Sequence, residues 1–437
     1  MLFRSKPGTG PGTPYFRDAS EALQQALAQF DFEKGGPETL RVIRAESRVR
    51  DTLTRRKKPV RPRPGKALTM YVCGVTPYDS GHMGHAFTFA IFDVLVRFLE
   101  ANGTRVKYVQ NITDVDDPLF ERARRDDIDW RELADRETKV HVRDMTVLGW
   151  RPPDVMPRVS EEIPRIVTAA AKLKASRHAY QADALYFDTH SYRGFGRLSH
   201  RSRRSMIRKL REEELLGTVG PDAKRDPLDF ALWRTSRPNE PAWPSKFGDG
   251  KPGWHIECSV MAMRYLGPQI DIHGGGRDLI FSHHESERAQ SESLTGKAPF
   301  ARAWVHTGMV RFNGRKMSKS LGNLVKVSQA LQRAPAAAVR LYLVSHRYQR
   351  DWDFEWTGLA RAARLVERMR KFLADDARLK TPKRAPRRAL MSEFNAALAD
   401  DLDTPRALRA LRAALRQKDA AAVRAMNEVL LGSASLT

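Results

Sequence analysis

A chain of 437 residues has room for two to four domains and is too long for one small module. Its 41% hydrophobic and 29% charged content is an ordinary globular balance, and no apolar run is long enough to span a bilayer, so a soluble protein is expected and a helical membrane protein excluded. The net charge of +24 draws polyanions and makes nucleic acid the first partner to consider, although a merely solvated basic surface gives the same number.

In chain order, residues 1–66 read as a basic accessory extension. Met1 to Pro14 carry no apolar segment of the secretory kind, so a cytoplasmic location is expected. An Ala/Leu-rich stretch follows, then Arg55-Arg56-Lys57-Lys58 and a Pro-rich run to Gly65 that reads as a linker. From Leu68, Leu-Thr-Met-Tyr-Val-Cys-Gly predicts a strand, Ala86 to Glu100 a helix, and Arg105 to Gln110 a second strand, which is the opening of a parallel α/β sheet. Residues 67–125 are read as the first half of that domain, 126–225 as a charged helical insertion, and 226–334 as the second half. Residues 335–437 have helical periodicity, with a basic break from Lys380 to Arg388, and form a shortened α-helical C-terminal domain.

Two clusters suggest chemistry. His82-Met83-Gly84-His85 stands at the entrance of the predicted Ala86 helix, where Gly lets backbone approach a phosphate and free amides await it; two histidines near a turn are also common surface residues. Lys316-Met317-Ser318-Lys319-Ser320 puts two ammonium groups on a short loop that can follow the phosphates of ATP and stabilise the charge of departing pyrophosphate. The only cysteines, Cys73 and Cys258, lie far apart, a pattern of metal-binding, catalytic or inert thiols more than of a disulfide.

Taken in order, these two clusters resemble the signature sequences of class I aminoacyl-tRNA synthetases. Met70-Tyr71-Val72-Cys73-Gly74, Tyr108 through Asp114, Gly253-Trp254-His255-Ile256-Glu257-Cys258 and Asp271-Ile272-His273-Gly274-Gly275-Gly276 resemble the cysteinyl-tRNA synthetase group, over roughly residues 66–350. The resemblance implies a Rossmann-like α/β catalytic domain split by a helical insertion and followed by an α-helical domain. It implies one Zn²⁺ held by Cys73, Cys258, His283 and Glu287, the last two being four apart and on one face if helical; buried apolar-like thiols and a polar turn are the bland alternative. It implies a cysteine pocket lined by Thr113, Trp254 and His273, ATP (with Mg²⁺) held by Gly84, Gly274, Gly275, Gly276, Asp278 and Lys319, and catalysis by His82, His85, Lys316 and Lys319. The reaction implied is activation of L-cysteine with ATP to cysteinyl-adenylate.

For the acceptor, transfer to tRNA is the leading expectation, with no obligate protein partner. Glu287, the Lys316 loop, and the basic runs Arg201 to Arg211 and Lys383 to Arg388 favour it. Thr76-Pro77-Tyr78-Asp79, His85 and the short tail resemble instead the mycothiol-pathway cysteine ligases, which transfer cysteine to the amine of glucosaminyl-inositol. A non-catalytic RNA-binding paralogue is a third reading, opposed by the intact motif residues.

Overall fold

The computed structural model describes residues 46–78, 81–212, 223–317, 322–378 and 386–434. At its centre four parallel strands lie in the order Ala301–Thr307, Ile270–Gly276, Leu68–Val75 and Val106–Ile112. The Met83–Ala101 helix connects Leu68–Val75 to Val106–Ile112, and the Glu285–Thr295 helix connects Ile270–Gly276 to Ala301–Thr307. The sheet therefore grows outward from its middle pair, and loops leaving the C-terminal ends of that pair diverge to open a crevice, the usual ligand position in such sheets.

Alternation along Leu68–Val75 explains why both faces are covered. Leu68, Met70 and Val72 join a core that includes the Met83–Ala101 helix and the C-terminal helices, whereas Tyr71 and Cys73 join a second core with Ile256, Cys258 and Met261 of the Trp254–Leu266 helix. The predicted elements here are found with ends shifted by up to three residues, the helix opening at Met83 and the second strand running from Val106 to Ile112.

The insertion is less purely helical than its charge pattern predicts. Helices Trp130–Val147, Ile163–Ala175 and Arg203–Glu212 are joined by the strands Ala179–Gln181 and Leu185–Phe187, which pair antiparallel with each other. Leu185–Phe187 also pairs with Phe230–Thr235, which in turn pairs with Gly250–Pro252. Three of its four strands have only three residues, too few to reveal a two-residue period, so most of this sheet had no readable signal.

The stretch read as a linker is also structured. Arg48–Arg50 pairs with Lys57–Pro59, and buried Asp51 accepts from the Trp304 amide (2.9 Å) and pairs with Lys58 (2.7 Å), fixing the hairpin to the central sheet. Residues 1–45 lie outside the described residues.

Helices Ala336–Val344, Trp356–Arg378, Arg388–Ala399, Thr404–Arg416 and Ala420–Leu431 build the C-terminal region. It is tied to the central sheet's Met83–Ala101 helix through Arg340, fully buried, whose guanidinium reaches Asp93, the Leu430 carbonyl (2.7 Å) and the Leu148 and Gly149 carbonyls (3.2 Å each). Among the described residues no helix is long and apolar enough to cross a membrane.

Candidate functional site

The crevice above the middle strands is a cavity of about 850 Å³ lined by Cys73, Gly84, His82, His85, Trp254, Asp278 and Lys316, and also by Asp116, Asp117 and Phe230. Two glycines let the backbone close up beneath it. A Cβ on Gly74 would stand 1.6 Å from the Asn111 carbonyl oxygen, and one on Gly274 would stand 2.3 Å from the Phe92 ring.

His82 caps the Met83–Ala101 helix. Its Nδ1 accepts from the Gly84 (3.1 Å) and His85 (3.4 Å) amides, so the neutral ring carries its hydrogen on Nε2 and offers a donor. The His82 and His85 rings stack at 3.8 Å. Lys316 ends the Arg315–Lys316 strand, its Nζ 3.5 Å from the Asp278 carboxylate across the crevice. Lys319 lies outside the described residues.

Below the crevice the donor atoms of Cys73, Cys258, His283 and Glu287 all lie within 4.8 Å of one another, on four buried residues. They come from the Leu68–Val75 strand, the Trp254–Leu266 helix, and the turn and helix that follow Ile270–Gly276. Glu287 Oε1 is 3.1 Å from His283 Nε2 and 3.5 Å from Cys73 Sγ, close to the ~3.4–3.8 Å edges of a tetrahedron with zinc-length bonds. Two thiols, an imidazole and a carboxylate, buried together, fit Zn²⁺ by type, number and spacing.

A second set, Cys73, His273, His284 and Glu287, shares two members with the first. His284 was not singled out from the sequence; its Nε2 lies 3.2 Å from Cys73 Sγ and its Nδ1 2.7 Å from His306 Nε2, while His306 Nδ1 meets Thr52 Oγ1 at 2.7 Å. The hairpin misread as a linker thus buttresses the donor cluster. The adjacent His283-His284 pair was the one available signal, because contacts with Thr52 and His306 have no local pattern.

Burial sets the charges here. It pushes Cys73 well above the ordinary thiol range, with Cys258 adding to the shift. At Cys258 burial is outweighed by the hydrogen bond from Cys73 and the His283 charge, which pull it down to about 6. Burial would lower His283, but Glu287 and Cys258 raise it to about 10. Burial, with His273 beside it, holds His284 well below the usual imidazole range and keeps it neutral.

The expected cysteine pocket is only partly assembled. Trp254 lines the crevice and stacks on His283 at 4.2 Å. Thr113 and His273 are instead buried: Thr113 Oγ1 accepts from Asn111 (3.0 Å), and His273 Nε2 lies 2.9 Å from Glu287 while its ring stacks on Trp304. His273 therefore supports the donor cluster from behind. Gly276 reaches the crevice wall; Gly274 and Gly275 sit beneath it, against Phe92 and His284.

A family model described as the tRNA synthetases class I (C) catalytic domain matches residues 59–364. The chain belongs to this family. Solved structures with the same fold include a ternary complex of Agrobacterium radiobacter agnB2 LeuRS (TM-score 0.62, 13% identity, 97% of this chain and 86% of that one) and Mycobacterium tuberculosis methionyl-tRNA synthetase bound by methionyl-adenylate (TM-score 0.55, 16% identity, 84% and 82%). Among curated relatives, the L-cysteine:1D-myo-inositol 2-amino-2-deoxy-alpha-D-glucopyranoside ligase of Frankia casuarinae is 48% identical over 84% of this chain and 77% of its own length. Proteins of that name from Thermomonospora curvata (44%, covering 88% and 94%) and Mycolicibacterium smegmatis (45%, covering 83% and 87%) are similar to it as well. The chain is thus a ligase of the class I synthetase type, and the basic tRNA-directed expectation must be weighed against relatives with another acceptor.

Proposed function

We propose that the chain activates L-cysteine with ATP and transfers the cysteinyl group to the amine of an amino sugar joined to inositol. The observation that carries cysteine as substrate is the buried quartet Cys73, Cys258, His283 and Glu287, with Cys73 reaching the crevice wall. A zinc ion held by those four residues would supply a soft acceptor for the substrate thiolate, for which serine's hydroxyl is a poor substitute. Trp254, stacked on His283, closes the side of this pocket.

The nucleotide belongs at the other end. The Met83–Ala101 helix turns the positive end of its dipole there, His82 and His85 stand at that entrance, and Gly276 lets the chain run close to the ligand. Lys316 moves from Asp278 to the phosphates and, with Lys319, offsets the charge that builds as pyrophosphate leaves. The cysteine carboxylate attacks the α-phosphorus in line, and positioning and charge stabilisation carry the step.

Curated relatives at 44–48% identity support the amino-sugar acceptor. Arg201, Arg203, Arg204, Arg208, Lys209 and Arg211, the run that favoured tRNA, are partly neutralised in place: Arg203 pairs with Asp226 (2.5 Å) and Arg208 with Glu212 (3.7 Å). Lys383 and Arg384 lie outside the described residues. The test is transfer of radiolabelled cysteine, with ATP, to glucosaminyl-inositol and to bulk tRNA in separate reactions. Label on the sugar amine alone is expected; label on tRNA alone would return the chain to the synthetases.

A further inference from the structure

An amine acceptor brings a difficulty that a ribose hydroxyl does not. At neutral pH much of it is ammonium, with no lone pair to attack an acyl group, so the crevice needs a base that a tRNA-charging site does not. This inference rests on the amino-sugar reading above.

Few groups lining the crevice are free for that work. His82 Nδ1 is occupied by two backbone amides, and His255 Nδ1 faces His283 (3.0 Å) in the donor cluster. Asp117 is held by Lys251 (2.5 Å) and Arg234 (2.7 Å). Asp229 accepts from Thr189 and Tyr180, and Asp278 faces Lys316. Asp116 is different: it lines the crevice half-buried, accepts from Thr76 Oγ1 (2.8 Å), and among the described residues has no cation in ion-pair contact, whereas Glu121, the other crevice carboxylate without one, is exposed to solvent.

We propose that Asp116 binds the acceptor's ammonium and is the base that deprotonates it for attack on cysteinyl-adenylate. The Asp116 carboxylate takes one proton from the ammonium. The freed nitrogen lone pair forms the N–C bond to the cysteinyl carbonyl carbon, and the carbon–oxygen bond to the phosphate breaks with its electron pair leaving on AMP. The remaining excess proton on nitrogen passes to solvent, as does the one on Asp116, giving an amide, AMP and the starting carboxylate.

The surroundings suit the role. Burial pushes Asp116 up to about 6; the Thr76 bond and Arg234 oppose the shift, and Asp117 adds to it. Buried Glu257 also lies near this carboxylate. A base of that strength is ionised at neutral pH and still accepts a proton readily.

The test separates the acceptor step from activation in Asp116→Asn, using cysteine-dependent pyrophosphate exchange, transfer to glucosaminyl-inositol, and trapping by hydroxylamine, whose nitrogen is already unprotonated at neutral pH. Transfer to the amino sugar is expected to fall on the order of 100-fold, out of proportion to any change in exchange, with hydroxylamine trapping largely kept. A parallel fall in hydroxylamine trapping, or in exchange, would overturn the assignment. Thr76→Val gives a second reading: without the hydrogen bond that favours the carboxylate, the acid limb of the transfer rate should move to higher pH, and an unmoved limb counts against the proposal. If the wild type labels tRNA and never the amino sugar, the acceptor reading itself fails and takes this inference with it, while hydroxylamine trapping still reports the adenylate.

Discussion

Two of the buried polar centres among the described residues are built on opposite plans. Around Arg340 every charge is answered within the chain: Asp93 receives Arg340, Arg97 Nε (2.9 Å) and the Arg151 amide (2.5 Å), and the guanidinium spends its remaining donors on carbonyls of two distant segments. Around Cys73 the groups are mostly of one kind, electron-pair donors crowded within 4.8 Å. The first centre is complete as an architectural joint, and the second has the donor set of the proposed zinc site. Buried polarity thus marks structure where the partners close on themselves and a ligand site where they do not.

The largest expected effect breaks the closed centre. Arg340→Met leaves Asp93 buried with one fewer cation, and stability should fall by about 3–5 kcal/mol in urea unfolding. Adding Asp93→Leu should recover part of that loss, since it removes the stranded carboxylate while taking the acceptor from Arg97 and the Arg151 amide; equal losses in single and double variants would contradict the closed-joint description. Breaking the open centre should affect chemistry more than folding. Cys258→Ser is expected to lose bound zinc by metal analysis and to lower cysteine-dependent pyrophosphate exchange by at least about 100-fold. Retained zinc with normal exchange would remove Cys258 from the proposed ligands.

The smallest effect is a control on the surface. Arg364 is exposed, with no ion pair among the described residues, so Arg364→Gln should shift stability by no more than about 0.5 kcal/mol. A larger shift would mean that the net charge of +24 carries more structural weight than the two buried centres imply.

Much of this was legible because residue type restricts chemistry. The resemblance to the cysteinyl-tRNA synthetase group singled out Cys73, Cys258, His283 and Glu287, residue types that suit a metal, and the structure brings them together from a strand, a helix, and a turn with the helix that follows it. The sheet was legible from the apolar run at Leu68 and the helix after His82. The outer layer of the site was not: Thr52, His306 and His284 meet through tertiary folding, and a basic, proline-rich segment reads as linker until Asp51 is seen to be buried. Thr113 and His273 lie buried beside the crevice and not among the residues that line it, a placement a motif does not reveal because it fixes a position in the chain and not the direction of its side chain. The acceptor was hardest, since the charge that pointed to tRNA is spread over the surface while the crevice itself carries carboxylates.

The middle of the central sheet has a consequence for how the protein is made. Met70 pairs with Tyr108 on one side soon after synthesis, but its partner on the other, Ile272, is translated roughly 200 residues later, about 10–40 s at usual elongation rates. Until then a nascent chain exposes an apolar strand with an open edge, and the insertion must emerge and fold beside it. Fragments ending before Gly276 therefore retain a sticky template instead of half an enzyme, and should accumulate as aggregates unless a chaperone holds that edge.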